Sequence, residues 1–138
     1  MLVIRAKQIA PFRKQADEDF VQRIARHLLD EYNDISVQLP DENPTVEEIS
    51  GDRLRRMILT GIERASAYKM DWESTVTAFV TLMFVFAPNF DDHPEFKSIL
   101  ENSAVEPNLR LDELIMQSSE DDWENVEQKY DASSWNLD

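Results

Sequence analysis

The most apolar stretch of the chain runs from Val76 to Ala87, where the only polar residues are threonines. At 3.6 residues per turn its apolar positions cover the whole circumference of a helix, which is typical of a helix enclosed by others. A buried strand is the alternative, but about fifteen residues without a turn signal are long for a strand. The pattern therefore predicts a fully buried central helix from Asp71, as N-cap, to Ala87, ended by Pro88.

Amphipathic patterns predict two further helices before the central one. Apolar residues recur every three or four positions from Ile9 to Tyr32, which indicates a helix that begins near Ile9. The spacing of Thr45 and Glu48 is that of a capping box, and it opens a helical stretch that reaches Tyr68. Gly51 is predicted to interrupt that stretch, with Asp52 as a second cap. Gly61 weakens a helix by about 1 kcal/mol relative to alanine, so we expect a neighbouring helix to approach closely there.

Shorter elements are predicted elsewhere. Residues 33–44 hold turn formers and a brief alternation of apolar positions, which indicates a connection with a few extended residues and no partner strand. After Pro88 we expect helices around residues 96–100, from Pro107 to Met116, and from Glu120 to Tyr130. The sequence thus predicts an all-α, compact single domain of five or six helices over residues 1–130. Residues 131–138 are predicted to form a flexible acidic tail that only Trp135 could anchor.

Composition excludes several classes of function. The chain has 138 residues, no cysteine, two glycines and a formal net charge of −14. That charge argues against nucleic acid and against an anionic membrane surface as partners. The N-terminal apolar run is too short for a signal peptide, and the central segment falls short of the roughly 20 residues that span a bilayer. We expect a cytoplasmic protein, and the oligomeric state stays open.

Residue types that could carry chemistry are few. Asp91, Asp92, His93 and Glu95 form the one cluster of metal-ligand types in the sequence. A single histidine supplies too few nitrogen donors for zinc, and a calcium loop would require a glycine that this segment lacks. His27 and Glu31 lie one helical turn apart and are predicted to form a surface pair. We therefore expect no metal, no cofactor and no catalytic residue.

Charge is distributed unevenly along the chain. The arginines Arg53, Arg55, Arg56 and Arg64 are predicted to pair with acidic residues of the C-terminal segment. The same segment is the best candidate for a partner-binding surface, because it combines carboxylates with aromatic residues of the kind enriched at binding hot spots. Its proposed residues are Glu120, Asp121, Asp122, Trp123, Glu127 and Tyr130. The alternative is that Trp123 and Tyr130 close the core.

Three segments together resemble a known family. They are residues 5–12, the segment Gly61–Tyr68, which reads GIERASAY, and the segment Leu82–Asp91, which reads LMFVFAPNFD. The chain is similar over residues 5–100 to small helical proteins encoded beside the spike and effector genes of bacterial type VI secretion systems. It departs from their pattern at Lys69 and Ala87, where glycine is usual, and at Asn89, where aspartate is usual.

The resemblance implies a non-enzymatic accessory role. The leading role is to bind a cognate effector or toxin. The bound protein would be held inactive, as an immunity protein does, or carried, as a chaperone does. An adaptor that links the effector to the secretion spike is the alternative, and a small enzyme is the third reading. The resemblance names no binding residues.

Overall fold

The computed structural model describes residues 17–137, which fold into six α-helices. They are α1 (Glu18–Glu31), α2 (Gly51–Ala67), α3 (Glu73–Val85), α4 (Pro94–Leu100), α5 (Arg110–Gln117) and α6 (Glu120–Gln128). Four 3₁₀ turns join or extend them, and no strand occurs in the described part of the chain. The predicted all-α fold is confirmed. Helix α3 packs chiefly against α2, and α1 covers both.

The first described helix begins later than the pattern predicted. The Asp17 carboxylate accepts hydrogen bonds from the backbone N–H groups of Asp19 and Phe20, at 3.1 and 3.4 Å, and so caps α1 at Glu18. The predicted start near Ile9 lies outside the described residues. From Phe20 to Leu28 the helix buries one apolar stripe against the core.

The connection between α1 and α2 is more ordered than its turn formers suggested. The backbone of Val37 donates to the Pro44 carbonyl at 2.8 Å, and Leu39 donates to Glu42 at the same distance. An isolated antiparallel bridge pairs Ser36 with Thr45, so the extended residues do have a partner. The alternating side chains of Val37 and Leu39 are buried in the core. Ser50, rather than Asp52, caps α2, and Gly51 is its first residue.

Gly61 marks the closest approach of α2 to α3. A Cβ added at Gly61 would lie 2.8 Å from Cγ2 of Val80 and 3.1 Å from the sulfur of Met83. No side chain fits at that spacing without movement of its neighbours, so a glycine is required for the two helices to meet. The predicted close contact is therefore present, and its partner is the central helix.

The central helix starts at Glu73 and is not capped by Asp71. Instead, Oδ1 of Asn108 accepts hydrogen bonds from the backbone N–H groups of Asp71 and Trp72, both at 2.9 Å. The Asp71 carboxylate accepts from Nδ2 of Asn108 at 2.9 Å, so it orients the amide that holds the backbone just before the helix. Asn108 is buried, and its carbonyl accepts from the Thr75 hydroxyl. A distant segment thereby anchors the residues that lead into this helix.

The enclosure of α3 is incomplete on one side. Phe79, Val80 and Met83 are wholly buried, and the hydroxyls of Thr77 and Thr81 bond to carbonyls one turn earlier. The flank that carries Ala78 and Leu82, however, lines an open groove of about 630 Å³ between α1 and α3. The prediction of a fully wrapped helix is wrong on this flank, because α1 crosses the helix without covering its whole length.

The C-terminal segment belongs to the packed domain beyond the boundary predicted at Tyr130. Residues Ala132–Trp135 form a 3₁₀ turn, and the Trp135 ring is fully buried at 4.8 Å from the ring of Phe84. The Trp135 indole donates to the Tyr130 hydroxyl at 3.0 Å. The sequence predicted a flexible tail because its flanking residues are polar, yet burial of one large aromatic side chain outweighs them.

Candidate functional site

The exposed side of α6 carries a row of carboxylates. Glu120, Glu124 and Glu127 are spaced three or four residues apart and therefore lie on one side of the helix, with Asp121 beside them. All four side chains are exposed. Of the six residues predicted to bind a partner, Glu120, Asp121 and Glu127 thus lie on an open surface.

The other three predicted residues are engaged within the fold. Trp123 is half-buried and stacks on Phe86, with ring centroids 4.2 Å apart, while its indole N–H donates to the Ser118 hydroxyl at 2.9 Å. The Tyr130 hydroxyl donates to the Gln38 carbonyl at 3.0 Å and accepts from the Gln38 N–H at 3.1 Å. Both aromatic residues close the core, which was the alternative interpretation of them.

Asp122 holds the start of α6. Its Oδ2 accepts from the N–H and the hydroxyl of Ser119, while the Ser119 hydroxyl accepts from the Asp122 N–H, a capping box. Its Oδ1 lies 3.0 Å from Nε2 of His93. A hydrogen bond with Glu95 and those from Ser119 and His93 hold the pKa of Asp122 well below its usual range. Asp122 therefore has structural partners and is not free for a partner protein.

The arginines do not neutralise the acidic helix, which corrects the predicted pairing. Arg53 pairs with Asp41 and Glu42, and Arg55 pairs with Glu18. The remaining two bind Asp52, Asp91 and Asp92: Arg56 lies 3.5 Å from Asp52, and Arg64 contacts both Asp91 and Asp92. Each finds a carboxylate close to it in the fold. Within residues 17–137 no cation pairs with Glu120, Asp121, Glu124 or Glu127.

Apolar side chains lie beside this row of carboxylates in the chain. Met116 has 78% of its surface exposed and Ile115 has 47%, the two largest exposures among the large apolar residues described. Both belong to the last turn of α5, four or five residues before Glu120. We call the surface formed by Glu120, Asp121, Glu124 and Glu127 the acidic face, and Met116 precedes it in the chain. The sequence placed Met116 in the helix that begins at Pro107 and did not identify its exposure.

A largely buried ion pair joins the segments Gly61–Tyr68 and Leu82–Asp91. Nε and Nη2 of Arg64 donate to Oδ1 of Asp91 at 3.0 and 2.8 Å, and the Tyr68 hydroxyl donates to Oδ2 at 2.8 Å. Burial, followed by the charge of Asp91, raises the pKa of Tyr68 well above its ordinary value. Both oxygens of this carboxylate are thus occupied by hydrogen-bond donors, which suits a structural role.

A second cluster has the residue types of a metal site. His93, Glu95 and Asp122 each offer one ligand atom, and these atoms lie within 4.8 Å of one another. Asp91, which the sequence placed in this cluster, instead pairs with Arg64. Asp122 of α6 belongs to the cluster, although the sequence did not place it there. The set provides one nitrogen and two oxygens, whereas protein zinc sites typically have four ligands rich in nitrogen and sulfur. In the fold these residues connect α4 to α6 through His93.

Comparison with known proteins adds no relatives. No protein-family model matches the chain, and neither does any curated protein or any solved structure. In residues 17–137 no helix has both the length and the apolar character needed to cross a membrane.

Proposed function

We propose that this protein is a non-enzymatic, cytoplasmic binding protein whose acidic face binds a basic partner protein. The observation that carries the proposal is the set of four exposed carboxylates of α6 that have no cationic partner in the described structure. Unpaired charges of one sign on one helix attract a complementary surface and speed its encounter. The neighbouring Met116 supplies apolar area that a partner would bury.

The resemblance suggests the nature of that partner. The segments Gly61–Tyr68 and Leu82–Asp91 are similar to proteins encoded beside type VI secretion genes, so we propose a secreted effector as the bound protein. The effector would be held inactive, as by an immunity protein, or carried, as by a chaperone. An adaptor between the effector and the secretion spike is the second candidate.

The engagement of the ionisable groups favours binding over catalysis. Asp91 has donors on both oxygens, and Asp122 is occupied by Ser119 and His93. A general acid or base requires a group that can exchange its proton with a substrate. The side chain of Asp91 is 4% exposed and that of Asp122 is 15% exposed, and each already holds parts of the fold together.

Charge reversal on the acidic face tests the proposal. The variant Glu120→Lys/Glu124→Lys should weaken binding of the protein encoded by the neighbouring effector gene at least tenfold, measured by calorimetry at fixed salt. The matched control Asp30→Lys/Glu31→Lys makes the same charge change on exposed residues of α1. Equal loss with both variants would show that net charge alone matters and would contradict a specific face.

The cellular readouts separate the candidate roles. For an immunity protein, co-expression should relieve toxicity of the effector, and the charge-reversed variant should not. For a chaperone, deletion should lower the amount of soluble effector. For an adaptor, deletion should stop delivery while the effector stays soluble and the producing cell stays healthy. Absence of binding to any product of the locus would overturn all three.

A further inference from the structure

A cavity outside the acidic face gathers cationic side chains in this strongly acidic protein. It has a volume of about 470 Å³ and lies among the end of α2, the turn after α3, helix α4 and the start of α5. Its charged lining consists of the cations Arg64, Lys69, Lys97 and Arg110 and the carboxylates Asp91, Asp92 and Glu101. Four cations against three carboxylates leave one net positive charge, whereas the chain as a whole carries −14.

Two of these cations have no acidic partner. Within residues 17–137 no carboxylate lies within ion-pair distance of Lys69 or Arg110. Arg110 is instead held by backbone carbonyls, since its Nε donates to Val105 at 2.9 Å and its Nη1 to Leu100 at 3.0 Å. Those bonds fix the guanidinium, and its Nη2 has no acceptor among the described residues. The chain has about twice as many acidic as basic residues, so two cations without a carboxylate partner in one cavity depart from its overall composition.

The backbone of Lys69 adds an independent observation. Its φ is +67°, in the left-handed region that side chains with a Cβ disfavour. The N–H of Lys69 bonds to the Ser66 carbonyl and that of Met70 to the Ala65 carbonyl, which is the helix ending that normally places glycine at this position. A lysine at this position strains the fold locally, and strained residues cluster at functional sites. The lysine side chain lines the cavity.

The remaining lining limits the kind of ligand. Arg64 is already neutralised by Asp91, and Tyr68 donates its hydroxyl to the same carboxylate. Lys97 lies 3.8 Å from Glu101 in an exposed pair, which holds it weakly and leaves it able to turn to a ligand. Ala67 is exposed and supplies apolar surface beside these cations, whereas the Leu100 side chain is fully buried in the core. One net positive charge suits a monoanion, and at physiological ionic strength charges more than about 8 Å away are largely screened.

We propose that this cavity binds the carboxylate of a ligand with a small apolar body, with Lys69 and Arg110 as the groups that contact the anion. Such a carboxylate can come from a free organic acid or from the C-terminus of a peptide. Lys97 completes the site, and Ala67 packs against the apolar body. The site is independent of the acidic face, since none of its lining residues belongs to that face.

The test is a titration of the full chain with each probe, in which backbone amide chemical shifts are measured by NMR. The probes are N-acetyl-leucine, its uncharged amide, a hexapeptide that ends in leucine with a free carboxylate, and the same hexapeptide amidated. Saturable shifts near Lys69, Lys97 and Arg110 with the acids and none with the amides support the proposal. Equal affinity of both acids identifies a free acid as sufficient, and tighter binding of the peptide identifies a C-terminus. Equal shifts with acids and amides, or no shifts with any probe, overturn it.

Variants keep the test specific. Lys69→Gln should weaken binding of the acids about tenfold, as expected from loss of one charge-assisted hydrogen bond, and Lys69→Arg should restore most of it. Lys129→Gln removes the same charge from another exposed position and should change nothing. Lys69→Gly should raise the melting temperature by about 3–5 °C while weakening binding of the acids. A loss of binding in a more stable protein cannot be due to unfolding. If Lys129→Gln weakened binding as much as Lys69→Gln, the effect would come from net charge alone and the proposal would be overturned.

Discussion

Arg64 donates two hydrogen bonds to a single carboxylate oxygen of Asp91, from Nε at 3.0 Å and from Nη2 at 2.8 Å. The carboxylate is only 4% exposed, and the arginine side chain is 24% exposed. The pair joins the last part of α2 to the turn that follows α3. Burial alone would lower the pKa of Arg64, but the charge and hydrogen bonds of Asp91 outweigh it and raise that pKa.

Asp91→Asn should lower the free energy of unfolding by about 2–3 kcal/mol, because it leaves the half-buried Arg64 without its counter-charge. The exposed neighbour Asp92, which lies 3.5 Å from Arg64, provides the control. Asp92→Asn should cost no more than about 0.5 kcal/mol. Chemical denaturation measures both, and equal effects would mean that the buried pair contributes no more than a surface one.

Gly61→Ala should destabilise the protein by up to about 2 kcal/mol. Alanine favours the helix by about 1 kcal/mol, but overpacking against the buried Val80 costs about 1–3 kcal/mol. Gly51 has no heavy atom within 4 Å of an added Cβ, so Gly51→Ala should instead stabilise by up to about 1 kcal/mol. The double variant Gly61→Ala/Val80→Ala should recover packing space at that contact. Stabilisation by Gly61→Ala alone would refute the close approach of α2 and α3.

Stability should fall as the pH rises above about 10. Burial, followed by the charge of Asp91, raises the folded-state pKa of Tyr68, and burial also raises that of Tyr130. A raised pKa contributes stability that is fully present below the unfolded value near 10 and is lost as the pH rises toward the folded value. Tyr68→Phe should flatten this alkaline loss while lowering stability at neutral pH by about 1.5–3 kcal/mol. An unchanged slope would show that Tyr68 ionises freely in the folded protein.

Truncation after Tyr130 should lower the free energy of unfolding by about 3–5 kcal/mol, the usual cost of losing a buried tryptophan. Trp135 is fully buried and contacts Phe84, so Trp135→Ala should account for most of that loss. The exposed substitution Asn136→Gly is the control, because Asn136 adopts a φ of +58° that glycine accepts. A truncated chain of unchanged stability would restore the boundary predicted at Tyr130.

The elements that could be predicted were those determined by residues close together in the sequence. The apolar run of α3 and the stripe of α1 identify helices because packing against a core requires that periodicity. Gly61 could be assigned to a close contact because a glycine inside a helix is a local anomaly. The carboxylates Glu120 and Glu127 could be assigned to a surface because charges at helical spacing are seldom buried.

The parts that could not be predicted depend on residues far apart in the chain. Asn108 anchors the backbone that leads into the central helix from 37 positions after Asp71, and polar residues near that helix end offered nearer candidates. The arginines pair according to which carboxylates the fold brings beside them. Trp123 and Tyr130 have the composition of a hot spot, yet their partners Phe86 and Gln38 belong to other elements. Composition identifies which residues can bind, and only topology decides what they bind.

The hydrogen bonds of the Tyr130 hydroxyl make the contact between two distant segments measurable by amide hydrogen exchange. The hydroxyl binds both the N–H and the carbonyl of Gln38, a residue of the exposed loop between α1 and α2, and it also accepts from Trp135. The Gln38 amide is protected from exchange with solvent while its bond to Tyr130 is intact. Its exchange rate measures how often the two ends of this contact separate, and a partner that clamps the C-terminal segment would slow it without touching Gln38.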